Sequence, residues 1–146
     1  MKKGNFMLRT YSPTLMFFLL IAMPLTFADN KKTTLILPAP LKAHVIENMK
    51  QNLAAFDEIL ESLANNKLSH AAKIAETYLG HKAKFSHNKS LINPLMPFGM
   101  QQFNKDLIQA ADHFSQVAKT GDTMQALTSF RKISDACVLC HSAYKF

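Results

Sequence analysis

Five consecutive residues near the C-terminal end, Cys137-Val138-Leu139-Cys140-His141, hold the richest chemistry in this 146-residue sequence. On an α-helix, with about 3.6 residues per turn, positions i, i+3 and i+4 fall on nearly one face, so both thiols and the imidazole address the same object. That spacing suits covalent attachment of a c-type haem. Two thiols add across vinyl groups and fix the macrocycle, while the adjacent histidine nitrogen reaches the iron as an axial ligand. Three other readings compete. A structural or redox CxxC pair is compatible with an exported protein, but thioredoxin-like pairs sit beside βαβ elements that have no pattern here. A zinc site needs about four ligands, and the sequence has no second cysteine pair. The pentapeptide can also arise by chance, since only three of its positions are fixed.

Helical periodicity dominates the chain that must position these residues. After the Pro38-Ala39-Pro40 entry, Ile46, Met49, Leu53, Phe56, Leu60 and Leu63 alternate spacings of three and four, which predicts a first helix with that row as its buried seam. Asn65-Asn66 ends it. A shorter second helix is expected through Leu68, Ala71, Ala75 and Tyr78, with Ser69 as N-cap and Gly80 just past its end. The stretch from His81 to Pro97 has no sustained period and reads as a long connection. Met100, Phe103, Leu107, Ala110, Phe114 and Val117 mark a third helix, stopped by Gly121. Asp122, with Gln125 three residues on, is placed to cap a fourth that runs from Thr123 through Leu127, Phe130, Cys137 and His141 to Tyr144. Four amphipathic helices with no strand pattern predict an all-α, antiparallel up-down-up-down four-helix bundle, because each apolar stripe must be buried against the others.

The first 28 residues read differently. Lys2, Lys3 and Arg9 precede an apolar run, Leu15 to Met23, that is too short to span a bilayer. Thr26-Phe27-Ala28 then supplies small residues at the recognition positions of a signal peptide cut before Asp29. Residues 1–28 are thus expected as a signal peptide, residues 29–146 as the mature domain, and the periplasm as its location. The 17 basic and 10 acidic side chains give a formal charge of +7. Without the leader's three basic residues, 118 residues remain with 14 basic against 10 acidic, a net of +4. The lysines are dispersed and Arg131 is the one arginine left, which argues against nucleic acid as a partner. No membrane association is expected after cleavage. Paired carboxylates, a nucleophile triad and a phosphate-binding glycine loop are all missing from the sequence, so enzymatic activity is not expected.

The layout resembles the cytochrome c-prime and cytochrome c-556 family, periplasmic four-helix bundles with CxxCH near the end of the last helix. Cys137 to Lys145 matches that family's pattern of CxxCH, two spacers, an aromatic and a basic residue, and the resemblance spans the mature chain in layout. It implies one covalent haem c held by Cys137 and Cys140, with His141 as the proximal iron ligand. In an antiparallel bundle the first helix begins where the fourth ends. Met49 then falls at the first-helix position that ligates iron in low-spin members, and a bulky non-ligating residue crowds that position in five-coordinate ones. Met100, Met96 and Met124 are poorer candidates, Met100 being the reserve. His44, His70, His81, His87 and His113 read as surface or loop residues, while Arg131 and Lys145 are either solvated or partners for a haem propionate.

The resemblance therefore implies a one-electron carrier serving an unidentified redox partner protein. Alternatives are a five-coordinate binder of nitric oxide or another diatomic gas, and a non-haem bundle with a CxxC redox pair. The family often pairs two copies through the first helix, although nothing in this surface pattern establishes a homodimer.

Overall fold

The computed structural model describes residues 31–83 and 93–146. The expected signal peptide and residues 84–92 of the expected connection, His87 among them, lie outside the described residues. Helix α1 (Ala39–Ala64) starts behind Pro38 with a proline in its first turn, where a missing N–H costs no hydrogen bond. It ends at Asn65, and Asn66 takes a left-handed φ of 54°, which asparagine tolerates. Helix α2 (Leu68–Ile74) follows at once and widens into a π-helical turn (Ala75–Leu79) that closes with Gly80 N–H donating to the Ala75 carbonyl at 2.9 Å. Its N-cap is Lys67, without a side-chain cap, so Ser69 does not have the expected capping role and already lies inside the helix.

A short 3-10 turn (Asn93–Leu95) leads into α3 (Phe98–Ala118), which stops before Gly121 at φ 86°. Helix α4 (Thr123–Ala143) is capped as expected: Asp122 Oδ1 accepts from Gln125 N–H at 2.8 Å, and the Gln125 side chain donates to Asp122 Oδ2 at 3.2 Å. Two-residue strands that the periodicity did not signal, β1 (Thr33–Thr34) and β2 (Tyr144–Lys145), then pair in parallel. Leu35 N–H extends the pairing to the Lys145 carbonyl at 2.8 Å. The described residues are thus predominantly helical, in accord with an all-α class.

The core gathers Ile59 and Leu63 from α1, Ala71 and Ala75 from the α2 segment, Phe114 from α3 and Ile133 from α4. Phe130 stacks between Phe56 and Phe114, with ring centroids at 4.5 and 5.6 Å. Contacts run densely from α1 to α2, from α2 to α3 and from α3 to α4, but α1 meets α4 sparsely. This corrects the expected seam of α1. Its buried residues are Val45, Asn48, Ala55, Ile59, Ser62 and Leu63, whereas Leu53 is 70% exposed and Ile46 and Leu60 are also exposed. The helix has two apolar rows, and the one through Val45, Ala55 and Ile59 packs, with Leu63 of the expected seam also buried. No helix among the described residues is long and apolar enough to cross a membrane.

Candidate functional site

Where α1 and α4 separate, a cavity of about 590 Å³ opens, within the range of roughly 300–1,000 Å³ typical of cofactor sites. Helix α1 contributes Ile46, Met49, Leu53 and Phe56 to its wall, the start of α3 contributes Met100, Phe103 and Leu107, and α4 contributes Ile133, Cys137, Cys140 and His141. Ile46 and Leu53, exposed rather than packed in the core, thus face this space, together with Met49 and with Phe56, which also packs against the core. Among the sequence-predicted site residues, Cys137, Cys140, His141 and Met49 all reach the one cavity. The α-helix continues to Ala143, so the three residues of the CxxCH motif keep the single-face spacing. Ser142 Oγ donates to the Leu139 carbonyl at 2.8 Å, and Tyr144 N–H caps the Cys140 carbonyl.

Cys137 and Cys140 are free thiols, each half-buried. Burial pushes the Cys137 thiol above its ordinary value. Burial raises Cys140 as well, with a smaller contribution from the neighbouring Cys137. Both therefore remain S–H at neutral pH. Redox-active pairs have the opposite character, with a thiolate stabilised by a helix N-terminus or a nearby cation. A protein-only metal centre is equally poorly matched, since among the described residues no three His, Cys, Asp or Glu side chains converge to hold an ion. Apolar walls, two thiols and an imidazole on one helix face, and a thioether sulfur on the facing helix are a donor set that fits haem c.

The strand pair braces this end of the molecule. Tyr144 packs edge-on against Phe103 with centroids at 6.4 Å. Phe146 forms part of the cavity wall, and Lys42 Nζ lies 5.6 Å from the centre of its ring. Tyr144 is expected from the sequence as the end of the fourth helix rather than as a strand residue, and Phe146 carries no sequence signal, because a two-residue strand leaves no periodicity to read.

Met96 and Met100 also line the cavity. Met124 is 71% exposed and is not part of the wall. The remaining described histidines lie outside it. His70 pairs with Glu58 at 3.0 Å, His113 Nδ1 bonds Ser129 Oγ at 3.0 Å, His81 pairs with Asp112, and His44 is exposed on α1. Arg131 lies 3.9 Å from Asp135, and neither Arg131 nor Lys145 contributes to the wall. The basic residue that does is Lys50, whose ammonium pairs with Glu47 at 3.6 Å. No family model, no curated protein and no solved structure matches this chain.

Proposed function

We propose that this chain is an exported c-type haem protein of the cytochrome c-prime and c-556 kind, an up-down-up-down antiparallel bundle that carries single electrons in the periplasm. One observation carries the reading: Cys137, Cys140 and His141 on α4 and Met49 on α1 share one apolar cavity. Cys137 and Cys140 would hold the group covalently through their sulfurs, and His141 on α4 and Met49 on α1 would supply its iron ligands. Haem supplies, when bound, a one-electron ferric–ferrous couple. The chain's residues hold His141 and Met49 on helices and line the space with apolar walls, so little rearrangement would accompany electron transfer. A thioether ligand also raises the potential relative to two nitrogen ligands.

The test is the absorption spectrum of protein made in cells that possess haem-attachment machinery. Haem should resist extraction into acidic acetone, and the wild type should be low-spin. Met49→Ala should convert it to a high-spin form that takes up nitric oxide or carbon monoxide. Extractable haem sinks covalent attachment. A wild type already high-spin and unaltered by Met49→Ala shifts the function to diatomic gas binding, and a chain without haem leaves the CxxC pair as the remaining reading.

A further inference from the structure

The charge distribution around the cavity points to a further binding residue, and the argument rests on the haem reading above. Among the described wall residues Lys50 is the only one with a lysine, arginine or carboxylate side chain. Lys50 lines the apolar space while its side chain is 70% exposed, as expected of a long cationic side chain that covers apolar surface and keeps its head in water. Lys50 thus marks the lip where the cavity meets solvent. An amphipathic occupant with an apolar body and carboxylate arms places those arms at such a lip, because an ionised carboxylate is too costly to bury unpaired. The Glu47 partner lies on the same exposed surface of α1 at 3.6 Å and is itself 60% exposed, a solvent-screened pairing that exchanges readily. Arg131 and Lys145, the other cations placed to serve a propionate, do not line the cavity.

We infer that Lys50 is the residue that receives a carboxylate arm of the bound tetrapyrrole, in place of Arg131 or Lys145. It acts as a positioning residue, holding one edge of the group at the lip and placing a positive charge beside it that favours the electron-richer reduced state.

The experiment compares haem-loaded wild type with Lys50→Gln, Lys50→Arg and Lys145→Gln by resonance Raman spectroscopy and by reduction potential at fixed pH and ionic strength. Lys50→Gln should shift the propionate bending band and lower the potential. Lys50→Arg, which keeps the charge, should retain both signals, and Lys145→Gln should leave the band unmoved. A propionate band in Lys50→Gln that coincides with wild type overturns the assignment, as does an equal shift in Lys50→Arg or a shift confined to Lys145→Gln. A chain that acquires no covalent haem under these conditions overturns the haem reading itself, which distinguishes that failure from the failure of Lys50 alone.

Discussion

Glu76 shows how a single carboxylate ties the widened turn after α2 to α3. It accepts from Ser115 Oγ at 2.7 Å, pairs with Lys119, and has Lys82 at 3.4 Å. The Lys119 hydrogen bond first, then Ser115 and Lys82, hold its pKa down at about 2 against an ordinary 4.5. A carboxyl with a depressed folded-state pKa contributes stability that is fully present above its unfolded value and is lost as pH falls through the folded one. For Glu76 the loss spans about pH 4.5 down to about 2. Its partners Lys119 and Lys82 are largely exposed, so solvent screening keeps the contribution small, about 1 kcal/mol. Glu76→Gln should therefore lower stability by about that amount at pH 7 and by progressively less toward pH 2. Urea denaturation of both proteins across this range gives the difference directly, and a gap independent of pH would contradict the assignment. Of these site and network residues, the sequence makes the CxxCH face legible because its spacing alone sets the geometry. Lys50 and the Glu76 network are not legible, because each depends on which helix lies opposite.

At the scale of elements, helix ends were easier to read than helix faces. Pro38, Asn65, Gly121 and Asp122 act locally, through backbone geometry or a cap three residues away, and the structure has helix boundaries at each. Periodicity does not single out the buried face of α1, because Ile46, Leu53 and Leu60 form as regular an apolar row as the residues that pack. Pairing between β1 and β2 joins segments more than a hundred residues apart and has no local signature. Its mechanical role can be tested at Gly99, where a Cβ would lie 2.5 Å from Tyr144 Oη but 3.7 Å from Cζ. Gly99→Ala must therefore displace the Tyr144 ring, whose backbone forms β2. The expected cost is about 1–3 kcal/mol, as for other overpacked contacts, with faster amide exchange at Leu35, whose N–H bonds the Lys145 carbonyl. Adding Tyr144→Phe removes the oxygen and should restore most of the stability and the exchange protection. Equal denaturation midpoints for Gly99→Ala and the double variant would show that the ring is not what the new methyl meets.

The whole molecule joins a core shared by all four helices to an end where α1 leaves α4. Ala55, Ile59 and Leu63 bury the second half of α1, but Met49, Leu53 and Phe56 face the cavity with Phe103 and Leu107 across from them. Covering such apolar walls contributes roughly 25 cal/mol per Å² removed from water. A flat apolar group attached between the walls therefore acts as part of the core and raises the stability of the native state alone. On the proposed haem reading the two thiols are the attachment points, and their conversion to hydroxyls leaves the helix spacing intact. Cys137→Ser/Cys140→Ser, exported and purified without haem, should keep most of its helical circular dichroism, since the Phe114–Phe130 contact in the core lies outside the cavity wall. Its thermal midpoint should nevertheless fall by roughly 10 °C or more relative to the haem-loaded wild type, a loss of a few kcal/mol for a domain of this size. It should also bind a hydrophobic fluorescent dye that the loaded protein does not. The same midpoint and the same dye signal in both proteins would mean that the cavity walls are not completed by the group held at Cys137 and Cys140, and the link between cofactor and fold would be lost.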